Sequence, residues 1–351
     1  MRTRTSTPSR AASFALALAA AAALLLPGTL AAQGTDPATG EKYPPVFNIA
    51  TFNSATATAI PIQEGYFNDL GVPAKIVFFD SGRDINTAFA SRSIEAATVG
   101  SSPVSLGVSN NLGYEVVFIN DVIGPAESLA VTKKSGIKTV GDLKGKKIAT
   151  PFASTAHYSL LAALLQEGVD PSEVTILDLQ TQDILASWIR GDIDGAYVWT
   201  PVLEELVRND GTVITDSAKL AEKGAITADV SVVSKEFAAK YPTLVTNYVK
   251  ALVRTNGLIN DSPDQAAGIV AKNIEIDVPT AAAQLAGNNY VRGADQLSPR
   301  YLGPKGKPGD FAKTLKDTAD FHVSQNNLDK AGDLSIYQAA VNGGFLEDAL
   351  K

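Results

Sequence analysis

The chain of 351 residues contains 30 basic and 37 acidic residues, a net charge of −7, and no cysteine. The acidic balance argues against nucleic acid or an anionic membrane surface as a partner. The lack of cysteine excludes a disulfide framework and a lipid-modified cysteine. With only two histidines and no cysteine, the chain has few ligands for a zinc-type site, so we expect neither a metal nor a cofactor.

The first 32 residues have the composition of a secretory signal peptide. Three arginines precede an apolar run, 11–26, and Pro27 and Gly28 interrupt it before the small residues of a cleavage region. The run is short for a membrane span of about 20 residues, so a retained N-terminal anchor is the less favoured alternative. Without 1–32 the chain has 27 basic against 37 acidic residues, a net charge of −10. We expect a soluble, monomeric protein, exported to the periplasm without a lipid anchor.

From residue 46 onward, short apolar runs alternate with helical patterns. Strands are predicted over 46–52, 74–79, 96–100 and 114–119, with helices over 60–71, 82–93 and 103–113. The rhythm then restarts, with strands over 146–150, 174–179 and 194–199 and helices over 154–168 and 182–192. This alternation predicts an α/β fold in which helices flank mostly parallel sheets.

The two series also resemble each other in sequence. Residues 84–99 align with 183–198 at an offset of 99, and five of the sixteen positions are identical. A proline opens the next helical pattern in both copies, as Pro103 and Pro201. The repeat predicts two similar lobes, each with its own sheet.

A mature chain of about 320 residues exceeds the ~100–200 residues usual for one domain, which agrees with two lobes. We assign 46–126 plus 235–351 to lobe one and 132–228 to lobe two. The chain would cross between the lobes near 127–132 and 229–234. Beyond Ser234 the patterns are helical, apart from a Pro/Gly-rich loop predicted over 292–310.

Polar segments follow the predicted strands at the ends where α/β sheets bind ligands. These segments, "FNSAT", "GSSP" and "PFASTAH", offer side chains at Asn53, Ser54, Ser101, Ser102, Ser154 and Thr155. We expect the serines and threonines to cap helices whose first turns carry a partial positive charge suited to an anion. Helix capping alone explains any one segment, but three at the same sheet edges favour a ligand site. None contains lysine, so a P-loop is excluded.

Catalysis is not expected from these residues. Ser154 and His157 are three positions apart, which on a helix brings their side chains near each other. No acid lies between 151 and 161 to orient the histidine, and no G-x-S-x-G elbow occurs. We interpret His157 as a polar helix residue near the mouth of a cleft.

Acidic and aromatic residues at the predicted crossovers suit a cation. Glu127 precedes the strand that leads into lobe two, and Asp229 precedes the strand that leads back. Trp199, at a strand end, offers a face on which an ammonium or alkyl chain can rest. A hinge salt bridge for the acids, and a core position for the tryptophan, remain open.

Several of these motifs carry a family resemblance. "FDSG", "GSSP", "PFASTAHYSLLAAL", "RGDIDGAYVW" and the Asp-Val of "ADVSVVSKEFA" resemble the taurine-binding periplasmic proteins of ABC importers, within the nitrate/sulfonate/taurine solute-binding family. The resemblance extends from about residue 46 to 248. It implies a type II periplasmic-binding-protein fold whose two lobes close on a ligand, delivery to a permease and an ATPase, and no chemistry on the ligand.

The resemblance also implies residue roles. Ser54, Ser101, Ser102, Thr155 and Tyr158 would surround a sulfonate. Glu127, Trp199 and Asp229 would lie near the ligand's amino end.

Two features depart from the family pattern. Ser231 stands where an aromatic residue is expected after Asp-Val, and the loop over 292–310 is longer than expected. Either feature would enlarge or reshape the pocket. From the resemblance we expect a small sulfonate as ligand, with taurine favoured. The alternatives are an unsubstituted alkanesulfonate, another small anion or amine such as a thiamine-precursor pyrimidine, or a role as a periplasmic ligand sensor.

Overall fold

The computed structural model describes residues 23–25, 34–52 and 56–351. Most of the predicted signal peptide, 1–32, lies outside these residues, as do the predicted ligand groups Asn53 and Ser54. Within the described ranges, no helix is both long and apolar enough to cross a membrane.

Two β-sheets form the frame of the molecule. In chain order the strands are β1 (Ala23–Leu25), β2 (Phe47–Phe52), β3 (Ala74–Phe79), β4 (Ala96–Gly100), β5 (Tyr114–Ile123), β6 (Glu127–Thr132), β7 (Lys147–Thr150), β8 (Thr175–Asp178), β9 (Gly195–Trp199), β10 (Gly211–Asp216), β11 (Ala228–Ser234) and β12 (Asn288–Asn289). The first sheet has the order β1-β3-β2-β4-β11-β5-β12, and the second has the order β10-β6-β9-β7-β8. We call each sheet with the helices packed on it the first or the second lobe.

Helices cover both sheets. They are α1 (Ala59–Gln63), α2 (Gly82–Ala90), α3 (Ser101–Ser109), α4 (Thr155–Gln166), α5 (Thr181–Arg190), α6 (Val202–Arg208), α7 (Ser217–Glu222), α8 (Lys235–Lys240), α9 (Pro242–Asp261), α10 (Pro263–Ile274), α11 (Val278–Ala286), α12 (Gly293–Gln296), α13 (Phe311–Ser324), α14 (Leu334–Gln338) and α15 (Gly344–Ala349). The helix predicted over 60–71 is split into α1 and a 3₁₀ helix, Tyr66–Leu70, because Gly65 between them has a φ of 66°.

The strand directions confirm the predicted α/β fold. β2, β3, β4 and β5 run the same way in the first sheet, and β7, β8, β9 and β10 do so in the second. The antiparallel neighbours include the two strands that follow a passage between the lobes, β6 and β11. Both sheets are therefore mixed, and most of their longer strands run parallel to one another.

The sequence repeat is also a repeat of structure at the same offset of 99. β4 pairs with β2 as β9 pairs with β7. The Glu95 carboxylate accepts a hydrogen bond from the backbone N–H of Asn48 at 2.8 Å, and the Asp194 carboxylate accepts one from Lys147 at 2.9 Å. Both pairs differ by 99 positions. In each lobe the acidic residue before β4 or β9 therefore accepts a hydrogen bond from the equivalent backbone N–H near the start of β2 or β7.

The two passages between the lobes are related in the same way. In the strand register Glu127 of β6 faces Trp199, and Asp229 of β11 faces Gly100. Because Gly100 and Trp199 are repeat equivalents, Glu127 and Asp229 occupy equivalent places in the two lobes. The residues predicted as crossovers form β6 and β11 themselves, and their action as hinges, with the lobe boundaries, stays a prediction.

Each lobe has its own apolar core. In the first lobe Phe47 is fully buried, stacked on Phe237 at 5.0 Å and edge-on to Tyr248 at 5.6 Å. In the second lobe Leu129 and Tyr197 lie at the centre of the sheet under α4. A smaller cluster joins α1, α10 and α11 to the end of α9.

Truncation of a core aromatic tests this arrangement. Phe47→Ala removes two ring contacts and leaves a cavity, so we expect a loss of about 3–5 kcal/mol in the free energy of unfolding by urea. Ile189→Ala is the control, because that side chain is 66% exposed and its loss should change stability by less than about 0.5 kcal/mol. Equal losses in the two variants would contradict the core assignment.

Candidate functional site

A cavity of about 110 Å³ lies between the two lobes. It opens at the carboxyl ends of β2, β4 and β9, where the sequence predicted a ligand site, and is lined by residues of both lobes. A buried water needs about 10–15 Å³ of such space, so the cavity holds several water-sized groups. Among its described lining residues none is lysine, arginine or histidine.

Two helix N-termini reach this cavity. Ser154 caps α4 as predicted: its hydroxyl accepts from the backbone N–H of His157 at 3.1 Å and donates to the carbonyl of Pro151. The cap predicted for α3 is wrong, because the helix begins at Ser101 and Gly100 takes the N-cap position without a side-chain bond. Gly100, Ser154 and Thr155 all line the cavity, so both helix dipoles present their positive ends to it.

Ser101 and Ser102 are buried but are not among the lining residues. The Ser101 hydroxyl accepts from the backbone N–H of Ala228 at 3.2 Å. The Ser102 hydroxyl lies 2.8 Å from Nε2 of His322 on α13. Both hydroxyls thus hold α3 to its neighbours, and their predicted contact with a ligand stays a prediction.

His157 and Tyr158 also lie beside the cavity rather than in its wall. His157 stacks on Phe152 at 4.3 Å, and burial lowers its pKa to about 4, so the ring is neutral at pH 7. Tyr158 packs edge-on against Phe321 of α13 at 4.8 Å, which joins the two lobes through aromatic contact. The predicted contact of His157 and Tyr158 with a ligand stays a prediction.

The two predicted acids do line the cavity; Glu127 is buried and Asp229 is half-buried. Glu127 accepts hydrogen bonds from the hydroxyls of Thr155 at 2.5 Å, Ser217 at 2.9 Å and Ser159 at 3.3 Å. Burial still outweighs these bonds and raises the pKa of Glu127 to about 7. Burial also raises the pKa of Asp229 to about 6.

A third acid, Asp121, joins them and was missed by the sequence reasoning. It is the cross-strand partner of Asp229, lines the cavity and is 5% exposed. Burial, followed by the charges of Asp229 and Glu127, raises its pKa well above the usual range. The same acids Asp121 and Asp229, after burial itself, raise the pKa of Tyr290, a further lining residue.

Ser231 supports a polar wall of the cavity. Its hydroxyl donates to Oδ1 of Asn120 at 3.1 Å and accepts from the Tyr248 hydroxyl at 3.3 Å. Asn120 and Tyr248 both line the cavity. An aromatic side chain at 231 would displace these two groups, so the departure from the family pattern places hydrogen-bonding groups there instead.

The long C-terminal segment builds another wall. β12 pairs with the end of β5, and Asn288 and Tyr290 line the cavity. The side-chain amide of Gln296 accepts from the N–H of Ile119 and donates to its carbonyl, both at 2.8 Å. The prediction of a loop over 292–310 is wrong at its start, where α12 (Gly293–Gln296) forms. Gln296 at the end of this helix bonds to the backbone of β5 through its side chain, for which the sequence offers no pattern.

Contacts between the lobes surround the cavity. Arg83 of α2 forms an ion pair with Asp178 of β8 at 2.8 Å, and the amide of Gln284 donates to Glu204 of α6 at 3.0 Å. Trp199 lies beside the Phe52 ring, with centroids 6.3 Å apart. These contacts enclose the cavity in the conformation described.

Comparison with known proteins agrees with this architecture. The chain is 38% identical over 266 residues to the taurine-binding periplasmic protein of Escherichia coli (strain K12), covering 74% of this chain and 80% of that protein. The fold matches the alkanesulfonate-binding protein SsuA from Xanthomonas axonopodis pv. citri bound to MOPS, with a TM-score of 0.73 and 21% identity over 84% of this chain and 98% of that one.

The same fold also occurs in the desulfurization enzyme DszB, with a TM-score of 0.61 and 17% identity over 87% of this chain and 98% of that one. Fold alone therefore does not separate a binding protein from an enzyme. The family model described as NMT1/THI5 like matches residues 54–266, more than half of the chain. Together with the 38% identity, this match shows that the chain belongs to the NMT1/THI5-like family.

Proposed function

We propose that the protein is the periplasmic solute-binding component of an ABC importer and that it holds a small amine-bearing sulfonate, with taurine favoured, between its lobes. One observation carries the ligand class: buried carboxylates and two helix N-termini meet in one cavity whose described lining residues include no basic side chain. A ligand with an ammonium at one end and an anion at the other matches both features. Delivery to a permease and an ATPase is supported by the resemblance to binding proteins of ABC importers and by a relative named as a putative ABC transporter periplasmic binding protein.

The anionic end of the ligand is assigned to the N-termini of α3 and α4. Backbone N–H groups of a first helical turn form charge-assisted hydrogen bonds to an anion, each worth about 1.5–3 kcal/mol. The Thr155 hydroxyl already donates a hydrogen bond to Glu127, so backbone N–H groups supply most of the hydrogen bonds to the anion. Less the costs of desolvation and ordering, three or four bonds support micromolar binding, about −8 kcal/mol.

We propose that the ligand leaves chemically unchanged. The buried hydroxyl–imidazole pair, Ser102 with His322, has no acid to orient the ring, because Nδ1 of His322 has no hydrogen-bond partner. Neither residue lines the cavity. Mass spectrometry of the ligand after incubation with the protein tests this point, and a product of different mass would contradict it.

Isothermal titration against a panel of small ligands tests the proposed class. We expect taurine to bind with a Kd of about a micromolar or below, and nitrate or bicarbonate, which have no ammonium, to give no heat. Ethanesulfonate controls for the amine at nearly the same chain length. Binding of nitrate or bicarbonate with no heat from any sulfonate would overturn the proposal.

The pH dependence of taurine binding follows from the buried acids. Asp121, Glu127 and Asp229 face the cavity with Tyr290, and all three carboxyl pKa values are raised. Because an ammonium needs ionised carboxylates, affinity should fall as pH falls from 8 to 5.5, through about 7 for Glu127 and about 6 for Asp229. Titration at each pH in two buffers of different ionisation enthalpy measures affinity and proton release together.

Stability without ligand should change in the opposite direction. An acid with a raised native pKa binds more protons in the native state than when unfolded, so stability decreases as pH rises from about 4.5 towards 7. We expect the Tm of the ligand-free protein to be lower at pH 8 than at pH 5.5. This difference should be smaller in Asp229→Asn, which lacks one of these acids. A taurine affinity that does not change between pH 5.5 and 8 would contradict the role of the acids.

Gly100 allows the lobes to approach each other. A Cβ at this position would lie 2.8 Å from Cγ2 of Thr155, which its bond to Glu127 holds in place. Gly100→Ala should therefore oppose closure by about 1–3 kcal/mol and weaken taurine binding at least fivefold by titration. Gly113→Ala is the control, since an added Cβ there meets nothing within 4 Å. Equal affinity in the two variants would exclude this contact as a condition of closure.

A further inference from the structure

Asp121 has a fully buried carboxylate oxygen without a hydrogen-bond partner among the described residues. Its Oδ1 atom is buried and makes no hydrogen bond, although the residue lines the cavity and is only 5% exposed. Buried polar atoms in folded proteins are almost always satisfied, and an exception in a cavity wall points to a group that binds there. For the ionised carboxylate the missing partner is a donor, because such an oxygen beside other acids is stabilised only by N–H, O–H or a cation.

A β-bulge places Asp121 in the cavity wall. Asp229 pairs with Asp121 and Val230 pairs with Ile119, so Asn120 is an extra residue on β5. Successive side chains of a regular strand point to opposite faces, but both Asn120 and Asp121 line the cavity. The bulge turns the strand at the point where it meets the site, as bulges beside binding sites commonly do.

Glu127 differs from Asp121 in that both of its oxygens are occupied. Oε2 accepts from Thr155, and Oε1 accepts from Ser159 and Ser217, all within the second lobe. Four lone-pair sites with three hydroxyl donors leave little capacity for an ammonium. Glu127 instead fixes Thr155 at the start of α4 and contributes charge at a distance.

We propose that Asp121 contacts the ligand's ammonium group and selects amine-bearing sulfonates over those without an amine, with Glu127 as a positioning residue. The proposal rests on the function proposed above and revises the sequence prediction, which gave the ammonium to Glu127 and Asp229. Asp229 remains beside Asp121 as its cross-strand partner, and side chains of such pairs lie within about 5.5 Å at Cβ. Two adjacent carboxylates thus share one cation.

The test compares taurine with propane-1-sulfonate, which has a methyl group in place of the ammonium. Asp121→Asn should raise the Kd for taurine at least tenfold and change that for propane-1-sulfonate by less than threefold. Glu127→Gln should weaken both ligands, because it acts through Thr155, and should discriminate between them less than Asp121→Asn does, because its charge acts only at a distance. Glu115→Gln is the matched control: an acid on the same strand, outside the cavity lining, whose loss should leave both affinities unchanged.

Thermal unfolding without ligand gives a second readout. Removal of one of several buried like charges should leave Tm unchanged or higher in Asp121→Asn, whereas loss of a merely structural residue lowers it. If that variant does not fold, Asp121→Ser carries the same comparison. Equal weakening of both ligands, or unchanged taurine affinity, in a folded Asp121 variant overturns the role of Asp121 alone. A wild-type protein that binds neither sulfonate overturns the proposed function and this inference together.

Discussion

Burial of like-charged carboxylates is the constraint on which this molecule depends. Asp121 and Glu127 are almost wholly withdrawn from water and Asp229 is half-buried, and a buried charge costs several kcal/mol unless protons, hydrogen bonds or an opposite charge compensate it. Glu127 is compensated by three hydroxyls of its own lobe. For the other two, the ammonium of the proposed ligand would offset the cost, so the free energy lost on burial would be recovered when ligand binding and lobe closure coincide. The binding site is thus a region of low intrinsic stability within a well-packed frame.

The topology explains why the acids meet. Each passage of the chain between the lobes delivers a strand to the middle of the sheet it enters, and each strand has an acid near its start. Since the repeat relates Gly100 to Trp199, it also relates Asp229 to Glu127, and both point to the shared cleft. The same supersecondary unit, present once in each lobe, therefore forms two walls of one site. The pairing of Glu95 with Asn48 and Asp194 with Lys147 shows that the equivalence extends to single hydrogen bonds.

Sequence periodicity predicted the strands and the repeat because local apolar patterns specify them. It placed Trp199 and Thr155 at the ends of strands and Glu127 and Asp229 before strands. The structure brings these four into one cavity. Asp121 was missed because the predicted strand ended at 119, whereas β5 continues to Ile123 past a bulge that depends on pairing between distant segments. The C-terminal walls were missed for a related reason: Gln296 bonds to Ile119 across 177 residues, and no local pattern encodes such a bond.

The acidic net charge of the chain, −7, conflicts with an anionic ligand but not with a zwitterion. Nitrate, bicarbonate or a simple alkanesulfonate approaches as a net anion and is repelled over a Debye length of about 8–10 Å. A zwitterion has no net charge, so this repulsion cancels at long range. Inside the cavity its two ends then meet different local fields, the helix dipoles and the carboxylates. Selection can thus begin before contact, because only a ligand with its own positive charge both avoids the global field and satisfies the local one.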